Sequence, residues 1–231
     1  MLAEAGPSIL QQLACANLHP AQIERVFISH AHGDHILGFP MLALNRLPNP
    51  TPLHIYTTAR SAETLRALWE LSYHGFGIEQ VRLHWCDLRE DVPEEVPLAE
   101  GVTLRTAPVP GPPEIPTLAA RWDFAGGPSV TFVTDTVFND AAVELARGSD
   151  LLIHEASFSA VLQTDVDPAL ASHSTARQAG EVARRAGCRQ VALVHLGPLT
   201  GERPDVLAEE ARAGTCLEVI VPEDGERVTL P

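Results

Sequence analysis

No run of eighteen apolar residues occurs in this chain, so no segment is expected to cross a bilayer as a helix. The opening stretch, MLAEAGPSIL, has no basic cluster ahead of an apolar core and does not read as a secretory leader. Cysteine is scarce: Cys15, Cys86, Cys188 and Cys216 are scattered, with no C-x-x-C pair among them. Such thiols suit a reduced, cytoplasmic protein. Basic residues are also few, 16 against 30 acidic ones, for a formal charge of −14. That charge repels phosphate backbones at long range and argues against broad nucleic-acid binding. A small anionic substrate stays open, because a metal ion reverses the local field inside a pocket. Aromatics make up only 5% of the chain, so its core must rest mainly on Val, Leu, Ile and Ala.

Apolar residues form 45% of the 231, enough for a sizeable core in one large domain or two small ones. There is no internal repeat and no low-complexity linker. Short runs rich in branched aliphatics predict strands at Val26–Ile28, Leu53–Tyr56, Val102–Ala107, Leu118–Trp122, Val130–Val133, Leu151–Ile153 and Val191–Val194, with another near Val81–His84. Helices are predicted at Pro7–Ala16, Ser61–Ser72 with Ser61 as its cap, Asn139–Arg147, Ser174–Ala186 before the C-cap Gly187, and Pro204–Ala213. Residues 87–117 read as a surface excursion around one strand, and the tail Val219–Leu230 as a hairpin turning at Asp224-Gly225. Strands alternating with helices indicate an α/β architecture.

The chemistry concentrates in one segment, Ser29-His30-Ala31-His32-Gly33-Asp34-His35, directly after the strand ending at Ile28. Three imidazoles and a carboxylate within six residues are hard to justify structurally. Buried imidazoles each need hydrogen-bond partners, and neighbours resist protonation beside one another. A bound cation resolves both difficulties, since neutral imidazole and ionised carboxylate are ligands for Zn2+ and related ions. Gly33 is expected to permit the tight turn. Four more polar groups follow apolar strands: Asp135 after Val130–Val133, His154 and Glu155 after Leu151–Ile153, and His195 after Val191–Val194. The carboxyl ends of buried strands are where α/β sheets place ligands. His173, just ahead of a helix, is a candidate acid or base beside Glu155. His19, His54, His74 and His84 fall outside these patterns and read as packed or surface histidines.

These stretches resemble the metallo-β-lactamase fold superfamily, and most closely its ribonuclease Z-like branch. The matching segments are SHAHGDHILGFP at 29–40, FVTDT at 132–136, LLIHEASF at 151–158, SHSTARQAGEVARRAG at 172–187 and LVHLGP at 193–198. The resemblance implies one metallo-β-lactamase-like domain over residues 1–231 with the αββα sandwich fold. It implies that His30 and His32 hold a first metal, that Asp34, His35 and His195 hold a second, and that Asp135 bridges them. Glu155 and His173 correspond to a pair that acts near the leaving group, and Asp34 is also placed to orient the attacking water. The implied cofactor is Zn2+, one ion or two, with Mn2+ or Fe2+ as alternatives, and two ions about 3.5–4 Å apart clamp a transferring phosphoryl group.

Three departures from the family shape the remaining expectations. Pro113 stands where the family supplies a further histidine to the first metal, which leaves His30, His32 and Asp135 there unless Glu114 substitutes. The family's opening strands, ahead of the residues matching Leu2–Pro7, are expected to be missing, which would expose a sheet edge and favour a homodimer. The stretch from Pro113 to Asp135 has no room for the arm with which ribonuclease Z grips transfer RNA. The expected function is therefore hydrolysis of a phosphodiester or similar small ester, with no nucleic-acid or membrane partner. Carboxylic-ester, lactone or sulfate-ester hydrolysis, transfer-RNA 3′ processing, and a catalytically impaired metal-binding relative are the alternatives; retained Glu155 and His173 favour an enzyme.

Overall fold

Parallel strands need a crossover between them, and the alternation of apolar runs with helical stretches supplies those crossovers. The computed structural model describes residues 1–47, 49–213 and 216–230, and the chain divides into two compact units, Met1–Arg89 and Glu90–Pro231.

In the first unit four parallel strands lie side by side in chain order: β1 (Leu2–Ala3), β2 (Arg25–Phe27), β3 (Leu53–Thr58) and β4 (Leu83–Leu88). Helix α1 (Ile9–Cys15) crosses from β1 to β2, α2 (Gly33–Ile36) and α3 (Phe39–Leu44) from β2 to β3, and α4 (Ala59–Ser72) from β3 to β4. Val26, Ile28, Phe39, Leu42, Leu53, Ile55, Leu65 and Trp69 form the unit's apolar core, each large side chain contributing about 1.5–3 kcal/mol by burial. Helix α4 starts earlier than predicted. Thr58, the last residue of β3, is its cap and accepts from the Ser61 backbone N–H at 3.2 Å. Ser61 is instead buried inside the first turn.

The second unit is a seven-stranded mixed sheet in the order β11-β10-β9-β8-β7-β6-β5. Strands β5 (Glu94–Ala99), β6 (Val102–Val109), β7 (Thr117–Phe124) and β8 (Ser129–Val133) form an antiparallel meander. From β8 onward the pairing is parallel, through β9 (Leu151–Glu155), β10 (Gln190–Val194) and β11 (Glu218–Ile220). The crossovers are α5 (Asp140–Ala146), α6 (Ala176–Ala186) and α7 (Pro204–Arg212). Their apolar faces, with Ala142, Val143, Ala179, Val182, Ala183 and Leu207, pack on Val133, Leu152, Val191 and Leu193. Helix α6 opens on a capping box of Thr175 with Gln178 and ends at Gly187 in the left-handed region, φ 69°, the C-cap that its sequence predicts.

Two expectations are corrected. Residues 87–117 are not an excursion around one strand: they include β5 and β6, paired antiparallel. Alternating Val96 and Leu98 support β5, while exposed Pro97 and a register shift mark it as a protected sheet edge. The tail is not a hairpin. Asp224-Gly225 does turn, with Gly225 at φ 81°, but β11 gives its pairing to β10 and Pro222 interrupts the backbone donors beyond it. The antiparallel meander also separates this architecture from a doubly wound sheet. No helix among the described residues is long and apolar enough to cross a membrane.

Candidate metal centre

In the first unit, β2 delivers its chain into the histidine-rich turn. Ser29 N–H donates to Glu4 Oε1 at 3.0 Å, and His30 is fully buried with Nδ1 2.9 Å from Ser29 Oγ. His32 is extended and stands at the cap of α2. Asp34 lies in that helix's first turn, its side chain mostly exposed, and His35 is buried on the next position. His30 gathers the other rings, with centroid separations of 4.8 Å to His32 and 4.2 Å to His35. His35 Nε2 lies 3.3 Å from Asp34 Oδ2, and its Nδ1 lies 3.5 Å from Glu4 Oε2. Gly33 is not in the left-handed region, and a Cβ there would stand 3.1 Å from the Leu37 side chain. The tighter constraint is at Gly6, where a Cβ would stand 2.4 Å from the Asp34 carbonyl oxygen.

In the second unit, Asp135 and His195 each follow a parallel strand, and both adopt left-handed backbone, φ 45° and 53°. That conformation costs roughly 1–2 kcal/mol for a residue with a Cβ, and strain of this kind clusters at functional sites. It turns both side chains to one place, with His195 Nε2 3.3 Å from Asp135 Oδ1. Thr134 Oγ1 donates to the same carboxylate oxygen at 2.7 Å. Glu155, fully buried at the end of β9, accepts from Thr136 N–H at 2.9 Å and from Ser157 Oγ at 2.7 Å. Its Oε1 lies 3.1 Å from His173 Nδ1. Burial works to raise the Glu155 carboxyl pKa, but the hydrogen bond and charge of His173, with the Ser157 hydroxyl and His154, outweigh it and hold the group below the usual glutamate range.

Ser157 is the residue that sequence reasoning missed. Its Oγ lies 2.9 Å from His195 Nδ1 and 3.4 Å from His173 Nδ1, and so joins Glu155, His173 and His195. One donor atom from each of those three lies within 4.8 Å of the others. The only signal was a serine two residues past Glu155, which by itself indicates nothing. His154 is fully buried, with its Nδ1 2.7 Å from the Glu155 carbonyl oxygen, and burial lowers its pKa. Pro113 and Glu114 are exposed on a turn, with Glu114 in the left-handed region.

The donor set fits a divalent cation. His30 and His195 each have Nδ1 against a serine hydroxyl, and His35 has Nδ1 facing a carboxylate. Holding one ring nitrogen in this way fixes the ring and leaves Nε2 as the ligand atom. In both units a Nε2 already stands close to an aspartate oxygen.

The family model of the β-lactamase superfamily domain matches residues 1–196. The ribonuclease Z of Prochlorococcus marinus (strain MIT 9313) is 31% identical, over 92% of this chain and 82% of its own length. Among solved structures, the metallo-β-lactamase fold protein YhfI from Bacillus subtilis superposes with a TM-score of 0.77 at 25% identity, over 97% of this chain and 84% of that one. Human tRNase Z, short form, gives a TM-score of 0.74 at 22% identity, over 99% and 87%. The two sheets with their helices thus carry the metallo-β-lactamase fold. The chain belongs to the β-lactamase superfamily and is a ribonuclease Z-like metallo-hydrolase within it.

Proposed function

We propose that this protein hydrolyses a phosphodiester in a small anionic substrate. The observation that carries this reading is the group formed by Glu155 and His195, at the ends of β9 and β10, with His173 from the turn ahead of α6, a proton-handling pair beside a metal ligand. Similarity to ribonuclease Z relatives, enzymes of phosphodiester chemistry by name, supports it. The metal is proposed to be Zn2+, held by His30 and His32 at one position and by Asp34, His35 and His195 at the other, with Asp135 shared. Bound there, a divalent cation supplies Lewis acidity that activates water and offsets phosphoryl charge. Glu155 holds His173 by its Nδ1, which leaves Nε2 to protonate the departing oxygen. Asp34, exposed beside His35, orients the water. Pro113 offers no donor, which favours a weaker first position, or a centre of one ion.

A small substrate is favoured over transfer RNA by the charge of −14 and by the compact β6–β8 meander, where Ala125–Pro128 is all that joins β7 to β8. The test compares bis(p-nitrophenyl) phosphate with p-nitrophenyl acetate, p-nitrophenyl sulfate, a lactone panel and a precursor transfer RNA, using zinc-loaded protein. The phosphodiester should be turned over fastest, and His173→Ala should slow it by about 10²–10⁴-fold. Preference for a carboxylic ester, lactone or sulfate, or processing of the precursor RNA, would replace this reading with the corresponding alternative.

A further inference from the structure

His54, His84 and Cys86 look unrelated in the sequence, but the first unit's sheet brings them together. Strands β3 and β4 run parallel with His54 opposite His84 and Tyr56 opposite Cys86. Side chains alternate across a strand, so positions 84 and 86 share a face, and their registered partners share it too. The His54 and His84 rings lie 4.9 Å apart, tilted by 57°. One nitrogen of each and the Cys86 Sγ all lie within 4.8 Å of one another. Tetrahedral zinc, with Zn–N of about 2.0–2.1 Å and Zn–S of about 2.3 Å, sets neighbouring donors about 3.3–3.6 Å apart.

The surroundings suit a soft-to-borderline cation. His84 is exposed, which gives an ion a way in, while His54 and Cys86 are half-buried. Burial, then the charges of His84 and Arg25, push the His54 imidazole pKa down, so it presents a neutral ring. Burial pushes the Cys86 thiol up, with the charge of Asp87 acting the same way, against a hydrogen bond with Tyr56 and the charge of Arg25, which favour the thiolate. A cation at Sγ completes that balance, since a coordinating thiol is deprotonated outright.

We propose that His54, His84 and Cys86 form a separate metal site for zinc or a similar borderline divalent cation, with a fourth position open to water. The site clips the edge strand β4 to β3. It shares no residue with the candidate metal centre, whose donors are all nitrogen and oxygen, so a sulfur signature reports on it alone.

The test is titration of the reduced full chain with cobalt(II), followed in the near ultraviolet. A thiolate-to-cobalt charge-transfer band should grow to saturation and be bleached by zinc. Cys86→Ser should abolish it, and His84→Ala, at an exposed position that leaves folding intact, should weaken it. Cys15→Ser and Cys216→Ser should leave it unchanged. Absence of the band, or its survival in Cys86→Ser, overturns the proposal whether or not the protein hydrolyses a phosphodiester.

Discussion

Ser157 holds together three groups that the chain supplies from far apart. Its hydroxyl donates to Glu155 Oε2 and meets His195 Nδ1. Replacement with alanine removes the group that fixes the His195 ring, and loss of such an outer partner costs about 10–100-fold in metal affinity or activity. Zinc competition against a chromogenic chelator should show that loss in Ser157→Ala. Unchanged affinity would mean that Ser157 only fills space. Cysteine chemistry is decided by burial in the same way. Burial pushes Cys188 up to about 11, while Cys15 and Cys216 are exposed. Timed labelling of native protein with a thiol reagent should modify those two and spare Cys188 until the protein unfolds; early labelling of Cys188 would show that its helix end opens readily.

Among the elements, α6 and α7 meet at a glycine. A Cβ at Gly180 would stand 2.0 Å from the Ala211 carbonyl oxygen. Glycine to alanine inside a helix ordinarily stabilises by about 0.8–1 kcal/mol. Here backbone must move, and overpacking costs about 1–3 kcal/mol. Gly180→Ala should therefore lower the denaturant midpoint; a higher midpoint would show that α7 gives way freely. The loop into β9 is tied to β8 by Asp150, which accepts from Ser129 N–H at 2.8 Å and Ser129 Oγ at 3.1 Å and pairs with Arg189 at 3.1 Å. The Ser129 backbone N–H is the main cause that holds the Asp150 carboxyl below the usual aspartate range, against a smaller effect of burial. A depressed carboxyl stabilises the fold above its unfolded value near about 3.9 and loses that contribution as pH falls through the lower folded value. Asp150→Asn should then cost about 1 kcal/mol near neutral pH, a difference that shrinks towards about pH 3 in urea unfolding. An equal difference at both pH values would remove the charge from the explanation.

Elements also decide what was legible beforehand. Strands β2, β8, β9 and β10 were readable because a buried parallel strand is a short apolar run, and the candidate residues His30, Asp135, Glu155 and His195 stood out because they follow such runs. Strand β5 was hidden by its acidic, proline-containing sequence, which an edge tolerates. The tail hairpin failed because a good turn does not guarantee a returning strand. Ser157 and the His54–His84–Cys86 group were illegible because each depends on register and crossover geometry, which local patterns do not encode.

At the scale of the molecule, 30 acidic residues surround a chain whose proposed substrate is itself anionic. Long-range attraction then cannot draw the substrate in, and binding must come from the cation in the pocket. Removing the metal should abolish both turnover and substrate affinity, while added salt should leave turnover at saturating bis(p-nitrophenyl) phosphate unchanged and modestly raise it at low substrate, because salt screens the repulsion between the acidic chain and the anion. A steep fall in rate with salt would reveal a local basic patch at work.

Turnover of bis(p-nitrophenyl) phosphate before chelation, after chelation, and after return of zinc probes the proposed chemistry most directly. Activity should disappear with the metal and come back with it in the native sequence, but not in His32→Ala or Asp135→Ala. Hydrolysis that survives chelation, or that either variant still performs at the native rate, would contradict a histidine- and aspartate-held metal as the source of catalysis.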